Sequence, residues 1–202
     1  MDNLTIDNNT FASNPGNTKL NPFVWIRYNF LHVFLLTGSL LGFAWLSYDV
    51  LWWWLIGVFL SLAVNFFYWV RKKEQFRSGD SNAGLVVSVN PTLVAVTTDL
   101  TKGGGEYPVV KIIKYKKSAS IGDKIATVAL YIPSDNEHDP HWEDFFPTPM
   151  DYATTNKADI QGALNSYDPQ QWEDLQRRLK QVPFPYAVGL YKVDVEASDW
   201  KK

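Results

Sequence analysis

The densest group of side chains able to do chemistry spans residues 135–144, DNEHDPHWED, and holds two of the three histidines in the chain. His138 and His141, with Glu137 and Asp139, offer nitrogen and oxygen donors of the kind that hold Zn²⁺ or another divalent ion. The spacing matches no zinc signature, and Pro140 breaks helical geometry between the histidines. A solvated acidic loop explains the same residues. Gly103-Gly104-Gly105 raises the question of phosphate binding, but the triplet lies between two strand signals instead of leading from a strand into a helix. A flexible hairpin loop is expected there. Asp80, Asp99, Glu106 and Asp123 flank turns and need no catalytic role. The absence of cysteine excludes disulfides, thiolate metal sites and cysteine nucleophiles. No cofactor is expected.

The elements that would position these residues divide sharply in polarity. Two apolar blocks, residues 29–47 and 51–70, flank Asp49. A helix crossing about 30 Å of hydrocarbon needs roughly 20 apolar residues, so the pattern predicts a transmembrane helical hairpin within residues 23–77. Residues 1–22 read as a polar tail that lacks the cleavage signature of a signal peptide. Arg27 precedes the first span, and Arg71, Lys72, Lys73 and Arg77 follow the second, which by the positive-inside rule puts both termini in the cytoplasm. Trp52, Trp53 and Trp54 at the turn, with Trp25, Tyr28, Tyr68 and Trp69 at the other end, suit two interfacial aromatic belts. Gly38 and Gly42 lie 11 and 7 residues before Asp49, while Gly57 and Ser61 lie 8 and 12 after it. At matched depth these small residues are expected to face one another and bring the two helices close. His32 and Asn65 are the polar residues within the spans, both placed near the cytoplasmic interface.

Residues 78–202 read as one cytoplasmic α+β domain. After a polar linker at 78–83, strand signals occupy 85–89, 93–98, 109–115, 124–132 and 186–195, with Asn90-Pro91 and Ile121-Gly122-Asp123 as turns. Residues 145–149 read as a connection packed on the core. Asp168 as N-cap, Pro169 at the first helical position and the stripe Trp172, Leu175, Leu179 and Val182 specify a helix, and a second is expected over 157–166. The fold class is therefore a two-helix transmembrane hairpin followed by a β-rich, barrel-like or half-barrel domain with one or two docked helices. A fragment beginning at Ser78 is expected to fold alone. The segment 78–202 has 13 Lys/Arg against 17 Asp/Glu, which gives no electrostatic basis for binding nucleic acid.

The stretch GDSNAGLVVSVNP at 79–91, continuing through TTDLTKGGGEYPVVKIIKY at 97–115, resembles an uncharacterised bacterial family whose members join an N-terminal hydrophobic anchor to such a module. TVALY at 127–131, WEDFFP at 142–147 and VGLYKV at 188–193 extend the likeness over most of residues 23–195. The resemblance supplies no catalytic residues. The leading expectation is a non-enzymatic module anchored in a bacterial inner membrane, with the lipid bilayer and a protein as partners and a homo-oligomer as one form of assembly. The alternative is a membrane-bound metal-dependent enzyme built on His138 and His141.

Overall fold

The computed structural model describes residues 12–102, 106–136 and 138–194. The glycine triplet at 103–105, Glu137, and the end of the expected last strand at Val195 lie outside the described residues, as does most of the polar leader.

A short helix, α1 (Pro22–Tyr28), opens the apolar region, its first turn capped by the Asn21 side chain, which accepts from the Phe23 and Val24 amides. Two long helices follow, α2 (Phe30–Asp49) and α3 (Leu55–Ser78), joined through a 3-10 turn at Trp52–Trp54. Their apolar side chains point outward. Phe34, Leu35, Leu41, Trp45, Phe59, Leu60, Phe66 and Phe67 are 57–69% exposed, and α2 buries no residue at all. Both helices are long and apolar enough to cross a membrane, and their apolar stretches are almost entirely unburied.

The helices pack on one another by a rule different from the one expected. The space beside Gly57 is taken by the Phe43 ring, which would lie 2.6 Å from an added Cβ, and Phe43 stacks on Trp54. Asn65 donates from Nδ2 to the Leu36 carbonyl across the pair at 3.0 Å and to the Ser61 carbonyl at 2.8 Å. The seam thus sets the small stripe Gly57, Ser61 and Asn65 of α3 against larger residues of α2. Gly38 and Gly42 lie off it, for a Cβ on either meets nothing within 4 Å. Large against small fills the gap between the helices, whereas two facing small stripes would have to bring the backbones still closer.

Six antiparallel strands form a curled half-barrel: β1 (Asp80–Val89), β2 (Thr92–Asp99), β3 (Pro108–Lys114), β4 (Lys124–Ile132), β5 (Asp144–Pro149) and β6 (Gly189–Lys192), in spatial order β5-β4-β1-β2-β3-β6. Successive residues of one strand serve opposite faces. Val94 and Val96 join the core containing Phe76, Phe145 and Met150, while Leu93 and Ala95 join a second containing Val110, Ile112 and Leu175. The second face is covered by α5 (Pro169–Leu179), capped by Asp168 Oδ1 accepting from the Gln170 amide at 2.9 Å. The other expected helix is α4 (Lys157–Ser166). Gly122, at φ +91°, makes the predicted turn before β4.

Three elements differ from expectation, the last strand being shorter, as β6 spans only Gly189–Lys192 of the predicted 186–195. β1 starts at Asp80, inside the predicted linker, because Asp80, Ser81 and Asn82 pair with Ala129, Val128 and Thr127 of β4. β5 replaces the connection that the sequence predicts over 145–149. Its prolines hide it, and they are tolerated because β5 is an edge strand whose second side needs no ladder donors.

Gly57→Leu should force the Phe43 ring aside and destabilise the hairpin by about 1–3 kcal/mol, whereas Gly42→Leu should change its thermal midpoint little. Paired melts of the full chain in detergent, followed by circular dichroism, compare the two. Equal losses would mean that the seam is not the one described.

Candidate functional site

Helix α3 runs on past the apolar block and delivers Gln75 and Phe76 into the core of the β-rich module. Phe76 has no exposed surface, and Trp25 of α1 is 4% exposed. Their rings meet edge to face at 5.6 Å, and Trp25 Nε1 donates to the Tyr68 hydroxyl at 2.7 Å. Gln75 Nε2 donates to Thr148 Oγ1 at 2.9 Å on β5. Gly79 then turns the chain directly from helix to strand, where a Cβ would lie 2.4 Å from the Gln75 carbonyl oxygen and 2.7 Å from that of Ala129. The expected polar tail belongs to the same body: the Gly16, Asn17 and Thr18 amides donate to the Gly79, Arg77 and Phe76 carbonyls, and Thr18 and Leu20 are buried. A boundary at 77/78 therefore cuts through one core.

Beside this joint lies a stack of three tyrosines. Tyr28, the last residue of α1, stacks on Tyr152 at 4.7 Å, and Tyr152 on Tyr115 at 5.8 Å. Asp151 ties the stack together. Its Oδ2 accepts from the Tyr115 hydroxyl at 2.5 Å and from Lys117 Nζ at 2.7 Å, and Oδ1 is buried without a hydrogen-bond partner among the described residues. Burial, and after it the Asp151 hydrogen bond and charge, push the Tyr115 hydroxyl far above its ordinary pKa. Burial does the same for Tyr152, against the hydrogen bond it accepts from the Lys116 amide. Elsewhere in the module burial raises Tyr131, which donates to Asp80, and pushes Tyr167 up to about 12. These phenols stay neutral and serve as hydrogen-bonded struts.

Of the residues singled out for metal binding, the described ones, His138, Asp139 and His141, form no group able to hold a metal ion. His138 is exposed, while His141 sits against the Tyr107 ring at 4.4 Å with Nδ1 bonded to the Trp142 carbonyl at 2.8 Å. Asp139 is occupied within its own turn by Ser134 and Asn136. Among the described residues no group of three or more His, Asp or Glu side chains could hold a metal ion. A shallow cavity of about 220 Å³ lies instead between the N-terminal segment and α4, lined by Asn14, Gly16, Thr18, Ser81, Asp159 and Ser166.

The expected interface anchors have separate fates. Trp52 and Trp53 stack at 4.2 Å and are exposed at the turn with Trp54, whereas Trp25 is a core residue and not part of a belt. Trp69 packs partly against the same core, and Lys72 is drawn in, with Nζ bonded to Gln75 Oε1 at 2.9 Å and 5.2 Å from the Trp25 ring. Arg71 and Lys73 remain exposed, as does His32 on the outside of α2. Missed in the sequence were Tyr115, Lys116, Lys117, Asp151 and Tyr152. The aromatic-basic run YKK at 115–117 is their one visible signal, and only the curl of the sheet brings it to Tyr28.

A family model described as "Protein of unknown function (DUF3239)" matches residues 70–183, so the matched region begins within α3 and includes its buried end. Among solved structures the chain is similar to one from Corynebacterium diphtheriae, provisionally described as a membrane protein, at 17% identity and a TM-score of 0.48, covering 56% of this chain and 100% of that one. No protein with a curated description matches.

Two outcomes follow from the joint. Phe76→Ala should cost about 3–5 kcal/mol, and a fragment beginning at Ser78 should fail to give a cooperative melt; a stable, cooperative fragment would refute the shared core. Because the folded-state pKa values of the buried tyrosines are raised, their stabilisation is complete below about pH 10 and is lost above it. For Tyr167 the loss runs from there to about 12. Thermal midpoints should therefore hold up to about pH 10 and fall from there towards about pH 12, with Tyr167→Phe blunting the fall; a midpoint flat over that range contradicts the assignment.

Proposed function

The chain belongs to the DUF3239 family of proteins of unknown function, and on that premise we propose that it is a membrane-anchored module that binds a protein partner or assembles at the bacterial inner membrane, with its β-rich part in the cytoplasm. The outward-facing apolar surface of α2 and α3 carries the proposal. Soluble monomers rarely expose contiguous apolar patches beyond a few hundred Å², and here two adjacent helices do so along α2 and the first half of α3. Hydrocarbon is the solvent that accepts such a surface, since each helix satisfies its own backbone hydrogen bonds. Arg27, Arg71, Lys73 and Arg77 are exposed at the end where the β-rich module joins, and the turn carries only Asp49, which supports the cytoplasmic orientation.

The joint supports a positioning role. Trp25, Tyr68, Phe76 and Gln75 lock the helices to the sheet, so that the module is held at a set angle and height instead of swinging on a linker. A rigid stalk suits presenting a surface to a neighbour in the membrane plane. No comparable observation favours a metal-dependent reaction.

Because the chain has no cysteine, single introduced thiols report topology without background. Val50→Cys at the turn should react with a membrane-impermeant maleimide added to intact spheroplasts, and Thr155→Cys should react only after permeabilisation. The reverse pattern would invert the orientation, and equal labelling of both would remove the anchor. Crosslinking in cells that yields only the uncomplexed monomer counts against the binding and assembly role.

A further inference from the structure

We infer that the base of the hairpin is a binding surface for the phosphate groups of anionic phospholipids, in which Lys116 and Lys117 from the β3–β4 connection join Arg27 of α1 and Arg71 and Lys73 of α3. It rests on the membrane anchoring proposed above and adds the class of lipid recognised and the residues that recognise it. Three cations surround Tyr28. The Lys116 ammonium donates to its carbonyl, Lys117 Nζ lies 5.0 Å from its ring centre, and Arg27 Cζ lies 6.0 Å from the same ring. Tyr28 stands two residues before the start of α2, where Phe30 is 64% exposed. The cations therefore sit at the level where the protein surface changes from the polar module to the apolar helices, which is where headgroup phosphates lie.

Charge argues the same way. Lys117 shares Asp151, but Arg27 and Lys116 form no ion pair among the described residues, and both are exposed. The segment 78–202 carries a net −4, so an anionic leaflet repels most of the module that the rigid joint holds beside it. Cations gathered at the contact level reverse that sign locally, and their alkyl stems can lie on aromatic surface while the heads reach phosphate oxygens. Lys116 and Lys117 lie far from the spans in sequence, so they add to the flanking charges that topology alone requires.

The full chain, reconstituted in phosphatidylcholine vesicles containing increasing brominated phosphatidylglycerol, reports the relative affinity for the two lipids through quenching of tryptophan emission. The unsubstituted chain should prefer phosphatidylglycerol. Arg27→Gln with Lys116→Gln should reduce the preference by about fivefold per charge at low salt, and the reduction should shrink as salt is added. Lys116→Arg should retain the preference, and circular dichroism should show each variant folded. A preference of one for the unsubstituted chain, or the same preference in the double variant, overturns the inference while the protein still resists extraction by alkaline carbonate. Extraction by carbonate would instead overturn the anchor, and this inference with it.

Discussion

The edge-to-face contact between Trp25 and Phe76 is the constraint on which the remaining architecture depends. Phe76 lies about two and a half turns beyond the middle of α3, on a helix that is lipophilic above and part of a protein core below. One continuous helix thus changes solvent along its length. Because its hydrogen-bonded backbone is stiff, the end anchored in the sheet dictates the direction of the apolar end. Trp25 brings α1 to the same point, so both legs of the hairpin leave the module from a single packed base.

That base explains features that look unrelated in isolation. Gly79 has no side chain because two carbonyl oxygens approach its Cβ position as the helix turns into β1. The N-terminal segment runs along the last turn of α3 and the start of β1, where its amides pair the Phe76, Arg77 and Gly79 carbonyls and its Asn14 carbonyl accepts from the Ser81 amide, groups that would otherwise lack partners beside the core. The neutral tyrosines around Asp151 brace the loops 115–117 and 150–152 against α1, where a flexible loop would leave the hairpin free to pivot. Electrostatics fits the same geometry: an acidic module places Lys116 and Lys117 at the end nearest the apolar helices.

Much of this was legible in the residues. The Val- and Thr-rich run at 93–98, the Asp168-Pro169 helix start and the apolar blocks around Asp49 each carry a local physical signal that survives folding. Signals that depend on a neighbour did not survive as well. β5 reads as a proline-bearing connection until β4 is beside it, and Gly38 and Gly42 look like a packing motif until Phe43 is seen to occupy the seam. His138 and His141 have the right chemistry and the wrong geometry, for one faces solvent and the other packs against Tyr107.

Composition and pattern alone determined that the chain joins two apolar helices to a β-rich α+β module, because span length, β-branched runs and turn residues are properties of local stretches. Whether the two parts are tethered or fused was decided only in three dimensions. Leu20, Trp25 and Phe76 are distant in the chain from Val128 and Phe145, and nothing in their own neighbourhoods records that they share one core. The same holds for Lys116 and Lys117: curling of the sheet, a property of six strands together, carries them to the foot of the first long helix.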